Sequence, residues 1–183
     1  MTVLLRFEDV SLRRGGRLLF EGLDFELRPG EALQVAGPNG SGKSSLIRLA
    51  AGLLRADRGR IQRPSLALAD DNLALDRELP LKRALGFWGG PTEPAMDALG
   101  VTHLADVPVR YLSSGQAKRA TLARVAASNA ALWLFDEPLN ALDTDGIARL
   151  SRLIDDHLGE GGAIVAASHQ ALAGHWRQLE LGR

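Results

Sequence analysis

Apolar and polar residues alternate from Val3 to Val10, and again where Leu23, Phe25 and Leu27 are separated by Asp24 and Glu26. A period of two gathers the apolar side chains on one face, as in antiparallel strands with one wet side. Arg13-Arg14-Gly15-Gly16-Arg17 reads as a turn, with Leu18 to Phe20 following it, and Pro29-Gly30 closes the second alternating stretch. Then the pattern changes. Residues 32–36, 131–135 and 163–167 are short, mostly continuous apolar runs, the length of strands buried on both faces. Helical spacing follows the first run at residues 45–51, stops at Gly52, and recurs at 114–129 and 145–158. Residues 60–62 and 65–69 add two short strand candidates. Strands alternating with helices predict an α/β fold: a mostly parallel sheet with helices on both faces, preceded by an antiparallel β region. From Pro80 to about Asp106 the helical spacing is broken by Pro91, Pro94 and paired glycines. A small helical subdomain, roughly residues 78–128, is therefore expected as an insertion in a single domain spanning residues 1–183.

Composition narrows the partners. The chain has 183 residues, 45% apolar and 24% charged, with 22 basic residues against 22 acidic ones. A neutral chain sets up no global field to hold a polyanion, so no nucleic-acid partner is expected. There is no cysteine, which excludes disulfides and thiol chemistry. The N-terminal apolar run is short and broken by charge, unlike a signal peptide. Nowhere do eighteen apolar residues run together, so membrane work would require another protein to hold this one in place.

Chemistry enters behind the first buried run. Residues 37–44 read Gly-Pro-Asn-Gly-Ser-Gly-Lys-Ser, the spacing G-x-x-x-x-G-K-[ST]. Gly37, Gly40 and Gly42 let backbone N–H groups face a phosphate with no Cβ in the way. Lys43 has the reach for β- and γ-phosphates, and the Ser44 hydroxyl can ligate Mg²⁺. Pro38, Asn39, Ser41 and Ser45 complete the cradle, and the helix behind it adds its positive dipole end. A glycine-rich surface loop with a chance lysine would lack the strand before and the helix after; both are predicted here. Further on, the apolar run 131–135 ends in Asp136 and Glu137. A buried parallel strand delivers such carboxylates to its C-terminal edge, where Asp136 can hold Mg²⁺ and Glu137 can polarise a water for in-line attack. Two solvated acids at a strand end look the same in isolation; the phosphate loop upstream favours the chemical reading. Between these motifs lies Leu112-Ser113-Ser114-Gly115-Gln116, at the start of the helix predicted from residue 114. Ser113 or Ser114 can cap that helix, and Gly115 permits close approach of a phosphate.

The order of these motifs resembles the ATP-binding domains of ABC transporters, over essentially the whole chain. Five elements match in sequence: residues 37–45, residues 112–116, Leu134-Phe135-Asp136-Glu137-Pro138, Asn140-Ala141-Leu142-Asp143, and Ser168-His169. The resemblance implies a P-loop ATPase whose cofactors are ATP and Mg²⁺. It implies a head-to-tail pair with a second ATP-binding domain, a homodimer, in which each ATP lies between residues 37–45 of one copy and Ser113, Ser114, Gly115 and Gln116 of the other. Glu137 and His169 are then the catalytic pair, His169 touching the γ-phosphate and orienting water with Glu137, while residues 140–143 link the two sites. Two family features are absent. Arg13-Arg14-Gly15-Gly16-Arg17 stands where an aromatic residue stacks on adenine, so an arginine plane is the expected substitute. No glutamine occurs in residues 69–73; Asn72 is the expected metal-side replacement, with Asp71 as a competing ligand.

Residues 19–25, 77–79, 111–116 and 132–143 are further similar to the ATP-binding subunits of bacterial haem exporters in cytochrome c maturation. That similarity implies integral membrane partners and a peripheral place on the cytoplasmic face of the inner membrane. Another small ABC exporter, or a soluble ABC ATPase, are the alternatives. Phe87 and Trp88 fall where this family docks its membrane subunit, or else they pack in the core of the small subdomain.

Overall fold

The computed structural model describes residues 2–182. The chain forms two compact units, one of Met1–Leu68, Ala130–Pro138 and His157–Arg183, the other of Ala69–Asn129 and Leu139–Asp156.

In the first unit, β1 (Leu5–Arg14) and β2 (Arg17–Leu27) form an antiparallel hairpin, and β4 (Arg58–Gln62) pairs antiparallel with the other edge of β1. The turn is tighter than the arginine-rich stretch suggests. Only Gly15 and Gly16 lie outside the strands, both at positive φ, as a two-residue hairpin requires. Residues 18–27 belong to one strand rather than two. The break in alternation is a series of register shifts between Phe7 and Arg13, with Asp9 at φ 50° and Gly22 at φ 60°. Phe7 and Phe25 stack across the hairpin at 4.5 Å.

A second sheet carries the order β5-β6-β7-β3-β8, from β3 (Ala32–Ala36), β5 (Leu66–Ala69), β6 (Leu132–Asp136), β7 (Ala163–Ala167) and β8 (Arg177–Glu180). Strands β6, β7, β3 and β8 run parallel. Every residue of β6 and β7 is buried, which is why both read as continuous apolar runs. Helix α1 (Lys43–Ala50) lies against β6 and β7, and Leu46, Ile47 and Leu49 close the same core as Leu33, Val35, Leu132, Leu134 and Val165. Each such side chain contributes about 1.5–3 kcal/mol on burial. Parallel pairing brings the C-terminal ends of β3, β6 and β7 to one edge, and the loops that follow them carry Gly37, Glu137 and Ser168.

The second unit contains α2 (Leu81–Gly86), α3 (Thr92–Ala98), α4 (Ser114–Ala126) and the first thirteen residues of α5 (Thr144–Gly159). It takes in residues 69–77 and 139–156 as well as the expected helical stretch. Helix α4 ends at Ala126, before the predicted boundary, and Asn129 adopts a left-handed φ of 52°. Leu81, Leu85, Met96, Leu99, Leu122 and Val125 are its buried centre. Gly90 lies so close to the end of α4 that a Cβ there would sit 1.7 Å from the Ala127 carbonyl oxygen. Among the described residues no helix is long and apolar enough to cross a membrane.

Candidate functional site

The loop after β3 leaves the sheet at Gly37. A Cβ at this position would lie 2.5 Å from the Leu181 carbonyl oxygen and 2.8 Å from Ser41 Oγ, so only glycine lets the loop pass the end of β8. Ser41 N donates to the Pro38 carbonyl at 3.2 Å, closing the bend, and the Ser41 side chain is buried beneath it. Gly42 takes the N-cap position of α1 at φ 106°, with no side chain capping the helix. The first-turn N–H groups, which a helix cannot satisfy internally, are thus left for whatever enters. Lys43 is 7% exposed, and its Nζ donates to the carbonyls of Gly37 at 2.8 Å and Pro38 at 3.2 Å. Two of three ammonium protons hold the charge over the loop, and the third is directed by them. A cleft of ≈330 Å³ opens here, lined by Asn39, Gly40, Gly42 and Lys43 to Ser45, with Arg14 and Leu19 on the hairpin side and Glu137 opposite.

Ser44 and Asp136 meet as their motifs require: Ser44 Oγ donates to Asp136 Oδ1 at 3.0 Å, and Asp136, at the end of β6, is 8% exposed. Among the described residues no group of three or more His, Cys, Asp or Glu side chains could hold a metal. The pair offers one hydroxyl and one carboxylate. That is too few donors for a protein-only cage and the right number for Mg²⁺, which takes one or two side chains and fills its octahedron with phosphate oxygens and water. Glu137 sits at φ 48°, in the left-handed region, its N–H donating to the Ala167 carbonyl at 2.9 Å. This turn aims its carboxylate at His169, whose Nδ1 is 2.8 Å from Glu137 Oε2. A carboxylate only accepts, so Nδ1 carries the proton. Nε2 is then the acceptor, and it faces Gln170 Nε2 at 3.3 Å.

Further polar residues set this geometry, and of them Gln34 and Gln170 were not singled out from the sequence. Gln34 is 4% exposed on β3; its Nε2 donates to the Gln170 carbonyl at 2.7 Å, and its Oε1 accepts from Gln178 Nε2 at 3.1 Å. Ser168 Oγ donates to the Gln170 carbonyl at 2.9 Å and accepts from Gln170 N at 3.1 Å. Together they fix the backbone on either side of His169. The available signal was Gln34 itself: an amide inside an otherwise apolar buried run must find partners.

The remaining candidates belong to the second unit. Ser113, not Ser114, is the N-cap of α4. Gln116 N donates to Ser113 Oγ at 3.3 Å, while Ser113 N donates to Gln116 Oε1 at 2.9 Å, a reciprocal capping box. Gly115 has an intramolecular reason to lack a side chain, since a Cβ would lie 2.9 Å from the Ala141 carbonyl oxygen. Asn72 stands in an exposed turn where Asp70 accepts from its N–H at 3.0 Å and from its Nδ2 at 2.9 Å. Leu85 is buried, but Phe87 is 82% exposed and Trp88 47% exposed, so core packing does not explain this pair. Trp88 is held in place instead. Its Nε1 donates to the Ala74 carbonyl at 3.1 Å, the Arg124 guanidinium lies 4.8 Å from its ring centre, and Phe87 meets it edge-on at 5.7 Å. Beside them Leu75, Leu79 and Ala84 line a groove of ≈300 Å³.

With this geometry in view, comparison with known proteins is specific. A family model described as ABC transporter matches residues 20–140. The chain is 53% identical over 181 residues to the cytochrome c biogenesis ATP-binding export protein CcmA of Sphingopyxis alaskensis, covering 94% of this chain and 93% of that protein. It is 53% identical over 171 residues to the protein of the same name from Novosphingobium aromaticivorans, covering 90% and 88%. A solved ATP-binding subunit of an ABC transporter superposes with a TM-score of 0.83 at 23% identity, over 91% of this chain and 79% of that one, which speaks to the fold alone.

Proposed function

The chain belongs to the ABC transporter family, as an ATP-binding subunit, and on that premise we propose that it powers an export step of cytochrome c biogenesis by hydrolysing Mg·ATP between two copies of itself. The cytochrome c assignment follows the relatives named CcmA, which match along nearly their full length.

The observation that carries the site is the convergence of Lys43, Ser44, Asp136, Glu137 and His169 at one edge of the parallel sheet. In this reading the triphosphate lies along residues 37–45, with free first-turn N–H groups of α1 and the Lys43 ammonium on its β- and γ-phosphates. Mg²⁺, held by Ser44 and Asp136, would neutralise charge that builds on the phosphate oxygens. Glu137 accepts a proton from the attacking water and fixes its line of approach. Nδ1–H of His169 keeps that carboxylate aimed. For His169 Nε2 to meet a γ-phosphate, the ring would have to leave Gln170, so phosphate contact and a change at Gln170 would go together. Arg14, which lines the cleft, would lie against the base or ribose. The Asn72 side-chain amide is engaged by Asp70.

The capping box of α4 consumes the N–H groups of Ser113 and Gln116 and leaves those of Ser114 and Gly115 uncommitted in the first turn. Two N–H groups at a helix N-terminus suit the γ-phosphate bound by a second copy. The Phe87–Trp88 surface suits an apolar helix end of an integral membrane partner, which would seat the protein peripherally on the cytoplasmic face of the membrane.

Two variants test this function. Lys43→Ala should lose most affinity for Mg·ATP. Glu137→Gln should bind Mg·ATP normally, form a dimer with it, and hydrolyse at no more than about a hundredth of the wild-type rate. Undiminished turnover in Glu137→Gln, or full ATP affinity in Lys43→Ala, defeats the reading.

A further inference from the structure

One turn beyond the capping box, Arg119 leaves α4 with a side chain only 13% exposed. Its guanidinium pairs with Asp143, donates to Asp145 Oδ2 at 2.8 Å, and donates to the Leu99 carbonyl at 3.2 Å. Asp143 Oδ1 also accepts from Gly146 N at 2.9 Å, starting α5. Arg149 reinforces the far side, its Nε donating to Asp145 Oδ2 at 2.9 Å and its Nη1 to the carbonyls of Asp97 and Ala98, each at 3.3 Å. The backbone is shaped around this fork. A Cβ on Gly146 would lie 3.1 Å from Arg119 Nε and 3.0 Å from Asp143 Oδ1, and the Cβ missing from Gly115 makes room for Ala141. Ala141 itself sits at φ 64°. Five hydrogen-bonding protons in one plane are what allow a single arginine to serve two carboxylates and a carbonyl; lysine could not.

We propose that Arg119 is a positioning residue: it welds residues 140–143 to the N-terminal turn of α4, so that both meet a second copy of this chain as one preformed face. The proposal rests on the dimeric reading above and adds what makes the face ready. Two loops that moved independently would each have to be ordered on association, which weakens it; one rigid piece is ordered already. The clamp touches none of the residues that line the phosphate-loop cleft, so its loss should spare ATP binding by a single copy and weaken only the step in which two copies close.

The experiment uses full-length Glu137→Gln protein with Mg·ATP as parent. Dimer formation is followed by light scattering, and nucleotide affinity by a fluorescent ATP analogue. Adding Arg119→Gln should weaken ATP-driven dimerisation by about tenfold, with nucleotide affinity within about twofold of the parent; Arg119→Lys should fall between. Without Glu137→Gln, the Arg119→Gln protein should show a lower kcat at low protein concentration and an unchanged KM for ATP. Asp145→Asn keeps the Arg119–Asp143 pair and guards against misfolding of the arginine variant; it should weaken dimerisation severalfold, and combining it with Arg119→Gln should cost little more than Arg119→Gln alone. Dimerisation at parental strength in Arg119→Gln and Asp145→Asn overturns the proposal, as does a loss that tracks nucleotide affinity. If the parent itself fails to dimerise with Mg·ATP, the dimeric reading falls and takes this proposal with it; if the parent dimerises and the variants match it, this proposal alone falls.

Discussion

Glu137 holds a backbone conformation that costs a non-glycine residue on the order of 1–3 kcal/mol, and it does so beside the reacting phosphate of the proposed site. The hydrogen bond from its N–H to Ala167 and the contact with His169 impose the turn. The strain separates two effects of substitution. Glu137→Gln keeps the backbone and removes the base. Glu137→Gly removes the base and relieves the strain, so it should melt no lower than Glu137→Gln although both are inactive; a melting point several degrees lower would show that the side chain kept in Glu137→Gln stabilises more than the turn costs. Arg14 offers a second prediction at this scale. It lines the cleft from the hairpin, where it would meet the base or ribose, so Arg14→Ala should raise KM for ATP severalfold and leave kcat unchanged, the pattern of an interaction equally strong in ground and transition states. A fall in kcat at saturating ATP would place Arg14 in the chemistry instead.

At the scale of elements, the capping box decides where α4 starts and therefore where the Ser114 and Gly115 N–H groups point. Ser113→Ala should cost about 1 kcal/mol in chemical denaturation and Ser114→Ala much less, because only Ser113 bonds the helix N-terminus. Equal losses would mean that the cap is shared. The same helix shows what a sequence can and cannot say. Ser and Gln three residues apart before a helical run announce a box, and continuous apolar runs announce β6 and β7. Residues 177–180 announce nothing: only Leu179 is apolar, and the strand exists because β3 offers a free edge and Gln34 holds Gln178. The Gly15-Gly16 turn was legible, but the bulges beside it were not, since a register shift breaks the alternation that defines a strand. The Lys43, Ser44 and Asp136 constellation was legible because spacing along the chain encodes it. Gln34, which steadies His169 from β3, acts across the sheet, where spacing carries no information, and Ser168 and Gln170 close a turn around the histidine that no apolar pattern marks.

For the molecule as a whole, folding is linked to pH through a ring that no catalytic step uses. His157 stacks on Trp133 with ring centres 3.7 Å apart and planes 5° from parallel, and it fills the space that a side chain on Gly162 would need. Burial holds the imidazole below its ordinary value of 6.5, opposed in part by the backbone hydrogen bond at Ala163 and then by the charge of Glu160. Above that value the ring is neutral in folded and unfolded chains alike, and stability is unaffected. As pH falls through 6.5 the unfolded chain takes up a proton that the folded chain refuses, so stability drops until the folded ring also titrates, and then levels. Asp143 is lowered by Gly146 N–H and Arg119, and Asp145 by Arg149 and Arg119. Their contributions are present at neutral pH and disappear only as the carboxylates protonate, at lower pH than the histidine. The melting temperature should therefore fall in two stages on acidification, the first between about pH 7 and 5. His157→Phe keeps a flat ring against Trp133 and removes the proton site, so the first stage should flatten while the second persists. An unchanged slope in that variant would assign the first stage to another group and leave the stacked pair a packing contact only.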